Sequence, residues 1–249
     1  MDERLDRLAV AIRDGEGTVA LTGAGVSTAS GIPDFRGEDG IWGREFDPAS
    51  FHRRRFERDP DGFWRDRLRL HERLVPEDVA PNAAHEALAA LESSGHLDAV
   101  ITQNTDGLHT AAGSGTVIEL HGNAARVVCE SCGERSPAEE AFDRVRAGET
   151  PPTCRCGGVL KPDVVLFGES LSREAIERAR VYAVDCDVFL AVGSSLTVEP
   201  AASLPRIATR NGAFLALVNL EPTPASESAD LDLRANVTEA LPALCTRLR

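Results

Sequence analysis

The chain has 249 residues, enough for one large domain or for a large domain with a small one. Acidic residues outnumber basic residues 40 to 27, and the formal net charge of -13 disfavours nonspecific binding to nucleic acid. No apolar run approaches the roughly 18 residues of a membrane span, and the N-terminal residues resemble an amphipathic helix rather than a secretion signal. We therefore expect a cytoplasmic protein without membrane or direct nucleic-acid partners.

The predicted helices and strands alternate along the chain. Apolar periodicity predicts helices at residues 2–14, 81–93, about 172–184, about 199–210 and from about 237 onward. Short β-branched or apolar runs predict strands at residues 18–22, 97–102, 116–120, 188–192 and 214–218. This alternation predicts an α/β fold with a Rossmann-like, doubly wound parallel sheet.

Two segments interrupt the alternation. Residues 38–80 predict a helical insertion, and residues 125–160 predict a small zinc-binding domain of the zinc-ribbon type. The Rossmann-like domain would then comprise residues 1–37, 81–124 and 161–249. Residues 221–230, rich in Pro, Ser and acidic side chains, predict a surface loop.

The basic residues are unusual, because Lys161 is the only lysine and all the others are arginine. An acidic, almost lysine-free composition is typical of proteins from salt-loving microbes. A GC-rich genome alone would also replace lysine by arginine.

A glycine turn follows the first strand, where doubly wound folds bind nucleotide phosphates. Gly23-Ala24-Gly25 has Thr28 where the usual dinucleotide fingerprint has a third glycine, so a simple tight turn is an alternative interpretation. The residues that follow favour a ligand site, because Asp34, Phe35 and Arg36 place an anion, an aromatic ring and a guanidinium together.

Four of the six cysteines form two close pairs: Cys129 with Cys132, and Cys154 with Cys156. In a reducing compartment such pairs predict a structural Zn²⁺ site, since four thiolates leave no open coordination position. The tighter C-x-C spacing leaves unrelated thiols or a labile site as alternatives. Cys186 and Cys245 lie in apolar contexts typical of a core.

Polar side chains follow two neighbouring predicted strands. Gln103, Asn104 and Asp106 come after the first, and His121 comes after the second. The carboxyl ends of parallel strands meet at one crevice, so these groups would lie near the glycine turn, with His121 as a candidate catalytic residue. His109 is more consistent with bracing its own helix.

The order of these motifs resembles that of the sirtuins, the Sir2 family of NAD-dependent protein deacylases. The matching segments span residues 23–37, 102–109, 121–122, the cysteine pairs, 161–169, 193–195 and 219–221. The resemblance implies that the acyl oxygen of an acylated lysine attacks the ribose carbon that carries nicotinamide. The products would be free lysine, nicotinamide and O-acetyl-ADP-ribose.

The resemblance also implies roles for individual residues. His121 would be the general base toward a ribose hydroxyl, Asn104 and Asp106 would orient ribose, water and the nicotinamide amide, and Phe35 would shield the reactive carbon. The implied NAD-binding set is Gly23, Ala24, Gly25, Ser27, Asp34, Phe35, Arg36, Gln103, Asn104, Asp106, Gly193, Ser194, Ser195, Asn219, Glu221 and Ala235.

An acylated protein or peptide would bind as an extended strand along Val164, Phe167, Gly168 and Glu169. Sirtuins that remove succinyl or malonyl groups carry Tyr-x-x-Arg, and Trp64 to Arg67 falls near that position. Trp64 lacks the phenol and Asp66 would weaken the attraction of Arg67 for a carboxylate, so deacetylation is favoured. Succinyl or malonyl removal, ADP-ribosyl transfer and a non-enzymatic NAD-sensing module are the alternatives.

Overall fold

The computed structural model describes residues 2–34, 40–74 and 78–249. Its main sheet has six parallel strands in the order β3-β2-β1-β7-β8-β9. These strands are β1 Thr18–Thr22, β2 Ala99–Thr102, β3 Val117–Glu119, β7 Val188–Val192, β8 Phe214–Asn219 and β9 Leu231–Arg234. The chain runs outward from β1 to β3 and then returns to pair β7 with the other side of β1, so the winding reverses beside β1.

Helices cover both faces of the sheet. Three of them, α1 Asp2–Asp14, α4 Ala83–Ser93 and α9 Val237–Leu248, supply leucines to one apolar layer. On the opposite face, α7 Arg173–Asp185 and α8 Leu204–Arg210 pack alanines and leucines against the strands. The predicted doubly wound α/β class is confirmed.

The sequence explains these elements locally. In α1, Leu5, Leu8, Ala9 and Ile12 recur on one helical face and are all buried. Helix α4 begins at Asn82, whose side chain accepts from the main-chain N of Ala84. Every residue of β7 is buried, which accounts for its continuous apolar run.

A second, smaller sheet lies between β3 and α7 in sequence. It is antiparallel, with the order β5-β4-β6, and consists of β4 Gly122–Cys129, β5 Arg135–Pro137 and β6 Leu160–Val164. Helix α6 Ala138–Arg146 packs on it, while α5 Leu108–Ala111 follows β2 in the main sheet.

Between β1 and α4, helices α2 Arg53–Arg58 and α3 Pro60–Leu74 form the observed helical insertion. Phe63 and Trp64 of α3 share one apolar cluster with Phe142 of α6 and Val127 of β4. The insertion and the small sheet therefore have a common core beside the main sheet.

Strand β9 was not predicted from the sequence. It pairs with β8 directly after the acidic segment 221–230, which itself contains a short 3-10 turn at Ser226–Ser228. In the described part of the chain, no helix is long and apolar enough to cross a membrane.

Candidate active site

One large cavity, about 1140 Å³, opens at the carboxyl ends of the parallel strands. It lies beside β1, where the winding of the sheet reverses, which is the usual ligand crevice of such folds. The predicted site residues that line it are Gly23, Ala24, Gly25, Asp34, Arg67, Gln103, Asn104, His121, Val164, Phe167, Gly168, Glu169, Gly193, Ser194, Ser195, Asn219 and Glu221.

Two glycine-containing loops form one wall of the cavity. Gly25 N donates to Gly193 O over 2.8 Å, and a Cβ on Gly23 would lie 2.9 Å from the same oxygen. Gly193 has φ +57, and a Cβ there would lie 2.6 Å from Val26 N. Because the two backbones approach so closely, only glycine fits at these positions. Short 3-10 turns at Ala24–Val26 and Thr28–Ser30 replace the long helix of a dinucleotide fingerprint.

A second link joins the strand ends across this wall. Gln103 Nε2 donates to Ser194 Oγ over 2.7 Å, and Leu196 N donates to the same hydroxyl over 3.3 Å. Leu196 is buried, and its backbone has φ +52, a left-handed conformation that residues other than glycine rarely adopt. The loop after β7, in which Ser194 and Ser195 line the cavity, is thus held in a strained form.

Behind the cavity wall, Ser27 organises three polar side chains. Its Oγ donates to Asp106 Oδ2 over 2.7 Å, accepts from Asn104 Nδ2 over 3.0 Å and lies 3.4 Å from His85 Nε2. His85 Nδ1 accepts from Asn82 N over 3.3 Å, so the neutral ring carries its proton on Nε2. The Nε2–H group then donates a hydrogen bond to Ser27 Oγ. Asn104 and Asp106 therefore have fixed orientations.

His121 lines the cavity at the end of β3. Its Nδ1 lies 2.9 Å from the main-chain oxygen of Gln103, which can only accept, so Nδ1 carries the proton of the neutral ring. The basic lone pair is then on Nε2. The main-chain oxygen of His121 accepts from Val165 N over 2.9 Å, which fixes the histidine next to segment 164–169.

His109 does more than brace its own short helix. Its Nε2 lies 2.9 Å from Thr22 Oγ1 in β1, and its ring centroid is 4.8 Å from that of His85. Nδ1 is buried without a hydrogen-bond partner. Burial lowers the pKa of His109 to about 3, and the neighbouring His85 adds to the effect.

The described residues of segment 40–74 that line the cavity are apolar apart from Arg67. Trp42, Phe51, Leu70 and Leu74 line it together with Arg67. Arg67 is 6% exposed, its Nε has no hydrogen-bond partner, and burial lowers its pKa to about 10. A buried guanidinium facing this space would favour an anion.

The structure separates Trp64 from Arg67. The Trp64 indole is fully buried, donates to the main-chain oxygen of Leu160 over 2.9 Å and does not line the cavity. Asp66 contacts Arg55 and Arg69, each at 3.7 Å. Asp66 therefore pairs with two other arginines, and burial is the cause that lowers the pKa of Arg67.

The four paired cysteines converge at the tip of the small sheet. All four Sγ atoms lie within 4.8 Å of one another, with Cys129 and Cys156 at 3.5 Å and Cys132 and Cys154 at 3.8 Å. Tetrahedral thiolates bound at about 2.3 Å from Zn²⁺ would be about 3.8 Å apart, so the donor set fits the ion despite the C-x-C spacing. Cys186 and Cys245 are buried elsewhere.

Some predicted residues lie away from the cavity or outside the described residues. Ser27 and Asp106 lie behind Asn104. Ala235 does not line the cavity, whereas its neighbours Asn236 and Val237 do. Phe35 and Arg36 lie outside the described residues. Sequence reasoning missed Leu70 and Leu74, although their i+3 and i+7 spacing from Arg67 indicates a shared helical face.

Comparison with known proteins identifies the family. The model of the Sir2 family matches residues 23–200. This chain belongs to the Sir2 family. An NAD-dependent protein deacetylase of Haloarcula marismortui is 59% identical over 248 residues, covering 99% of this chain and 95% of the relative. The similarity to a haloarchaeal protein agrees with the acidic, lysine-poor composition.

Solved Sir2 structures resemble the whole molecule. A Sir2 protein with a deacetylated p53 peptide and 3'-O-acetyl ADP-ribose has a TM-score of 0.89 at 36% identity, covering 97% of each chain. A Sir2 complex with a p53 peptide and NAD⁺ has a TM-score of 0.85 at 36% identity, covering 96% of each.

A second sequence relative, an NAD-dependent protein deacylase of Aeropyrum pernix, is 48% identical over 223 residues, covering 89% of this chain and 88% of the relative.

Proposed function

We propose that this Sir2-family protein is an NAD-dependent protein-lysine deacetylase that releases nicotinamide and forms O-acetyl-ADP-ribose. The observation that carries the proposal is the position of His121. It lines one continuous cavity together with the glycine loops and with segment 164–169. A nucleotide and an acylated lysine would meet at its ring.

The glycine loops fit a dinucleotide. Gly23, Gly25 and Gly193 let the two loops pack closely along one wall of the cavity, and Ser194 and Ser195 also line it. Asn219 and Glu221 line the far end and would hold the adenosine ribose. When bound, NAD supplies an activated glycosidic bond between nicotinamide and ribose.

His121 would take a proton at Nε2. The hydrogen bond of Nδ1 with Gln103 O fixes the tautomer and the ring orientation, so Nε2 is the ring nitrogen that would accept a proton from a ribose hydroxyl. A neutral imidazole near pH 7 suits this role.

Asn104 would orient the ribose and water from the floor of the cavity. Its Nδ2 donates to Gly23 O over 3.1 Å and to Ser27 Oγ, so the side-chain oxygen is directed by two fixed partners. Asp106 contributes from behind through Ser27 and through Leu108 N, which donates to its Oδ1. We propose that this layer preorganises the nicotinamide end of the site.

The cysteine cluster would hold one structural Zn²⁺. Cys129, Cys132, Cys154 and Cys156 would supply a closed set of four thiolates, so the ion would stabilise the small sheet without taking part in the reaction.

Arg67 favours a second substrate class. An acyl group that ends in a carboxylate, such as succinyl, could pair with this buried guanidinium in the apolar end of the cavity. Removal of acetyl groups remains the primary proposal, as in the deacetylases to which the chain is similar. Removal of acidic acyl groups would be a second activity of the same site.

The direct test combines purified protein, NAD and three peptides that differ only in being acetylated, succinylated or unmodified. Released nicotinamide and peptide masses are followed together. We expect deacetylation that requires NAD and yields nicotinamide in equal amount. Labelling of the protein or peptide with ADP-ribose would instead support transfer, and NAD binding without nicotinamide release would support a sensing module. Arg67→Ala should reduce desuccinylation more than deacetylation.

A further inference from the structure

Residues 164–169 leave β6 and line the cavity where the substrate strand would bind. Main-chain groups of neighbouring segments pair with Val165 and Phe167, and side chains hold the backbone of Val164 and Leu166. Lys161 Nζ donates to Val164 O over 2.8 Å, and Leu166 N donates to Glu169 Oε2 over 2.8 Å. The shape of this segment therefore depends on Lys161 and Glu169.

The carboxylate of Glu169 joins three parts of the molecule. Its Oε2 also accepts from Lys161 Nζ over 3.1 Å, and its Oε1 accepts from Arg53 Nη1 of α2 over 3.2 Å. The Glu169 side chain is 18% exposed and that of Lys161 is 10% exposed. Hydrogen bonds between charged groups in such a partly buried place are stronger than exposed ones.

The backbone on either side of these contacts faces the substrate. Among the described residues, no protein group forms a hydrogen bond with Val165 O or Gly168 N. Both residues line the cavity, so these two groups are positioned to pair with an incoming extended chain. The contacts of Glu169 with Leu166 N and Lys161 hold the backbone between Val165 and Gly168.

We propose that Glu169 is a positioning residue for the acylated peptide, with Lys161 as its cation. The carboxylate holds Leu166 N, and the ammonium group holds Val164 O. Together they keep Val165 and Gly168 in the conformation that pairs with substrate. This inference rests on the proposed deacetylase function, and it assigns a specific role to the only lysine in the chain.

Glu57 provides a matched control. Its Oε1 accepts from Arg53 Nε over 2.8 Å, so it shares the arginine with Glu169, but its side chain is 56% exposed. It does not line the cavity. Loss of charge at Glu57 therefore disturbs the ion pairs of Arg53 but leaves the contacts of segment 164–169 in place.

The test compares Glu169→Gln with Glu57→Gln in the full chain. A fluorescent acetyl-lysine peptide gives the peptide Kd, and turnover gives KM and kcat. We expect Glu169→Gln to raise the peptide Kd and KM about tenfold, with kcat and the KM for NAD changed by less than about twofold. Glu57→Gln should match the wild type. Equal effects of the two variants, or a loss confined to kcat, would overturn the proposal.

Lys161 gives an independent measurement if Glu169→Gln fails to fold. Lys161→Met should weaken peptide binding, and Lys161→Arg should restore most of it because a cation is retained. Equal binding by both variants would contradict the proposal. If wild-type protein binds the peptide but does not deacetylate it, the proposed function fails while the binding comparison still decides the role of Glu169. Absence of wild-type peptide binding would contradict both.

Discussion

Ser27 and Asp106 are joined by a hydrogen bond of 2.7 Å from the hydroxyl to the carboxylate. With Asn104 Nδ2 and His85 Nε2 as its donors, the Ser27 hydroxyl uses all of its hydrogen-bonding capacity. One buried hydroxyl thus fixes two polar side chains behind the cavity.

Ser27→Ala should lower both stability and turnover. It removes one buried hydrogen bond each from Asn104 and Asp106, which costs about 1–3 kcal/mol in the free energy of unfolding. Because the layer acts on the reacting end of the site, kcat should fall more than the KM for the peptide rises. Urea unfolding and steady-state kinetics check both effects. Ser93→Ala, at an exposed position of α4, is the control, and wild-type kcat in Ser27→Ala would contradict the role.

Leu196→Val should destabilise the protein more than the same change in a regular strand. Leu196 has φ +52, a conformation that β-branched residues strongly disfavour. Strain of about 1–3 kcal/mol should therefore add to the loss of packing. Leu215→Val in β8 is the matched control, since Leu215 is equally buried and belongs to the same apolar cluster. Equal melting temperatures for the two variants would exclude the strain.

His109 should make the protein less stable as the pH falls below about 6.5. The unfolded state gains a proton there, whereas the folded state stays neutral until its pKa of about 3, so unfolding takes up a proton between these values. One such group contributes up to about 1.4 kcal/mol per pH unit. Denaturant unfolding of wild type and His109→Gln from pH 7.5 to 4.5 measures how much His109 contributes to the pH dependence of the free energy of unfolding. The variant should lose less stability across this range, and parallel curves would contradict the expectation.

Removal of zinc should unfold the small sheet and abolish deacetylation. Without the metal the four cysteines would take up protons, and no metal–sulfur bonds would hold β4 to the loop before β6. Metal analysis and melting temperatures before and after chelation check this. Cys156→Ser should lose zinc, whereas Cys186→Ser, at a buried position outside the cluster, should keep it. Unchanged stability and activity after complete metal removal would count against a structural ion.

Much of the main sheet could be predicted from the sequence because its elements carry their own signals. Helix α1 shows a regular apolar face, and β7 is a short, wholly apolar run. Strand β9 carries only a short, weak signal. It has four residues, alternates apolar with charged side chains and is a strand only because β8 offers it a partner.

The site shows the same contrast. The cysteine spacing predicted a cluster that the structure brings together, since each pair lies within one short turn and a tetrahedral ion needs two such pairs. The positions of Trp64 and Arg67 depend on how α3 packs against Phe142 and Leu160. Residues three apart on one helix were expected to share a role, but tertiary packing directs one into the core and the other into the cavity.

The most direct test of the proposed chemistry follows the acyl oxygen. A peptide whose acetyl-lysine carries ¹⁸O in the acetyl group is incubated with NAD and the protein in unlabelled water, and the ADP-ribose product is analysed by mass spectrometry. If the acyl oxygen attacks the ribose, the product carries the label, and its formation should be lost in His121→Ala. Unlabelled ADP-ribose formed with wild-type protein, or full deacetylation by His121→Ala, would contradict the proposed mechanism.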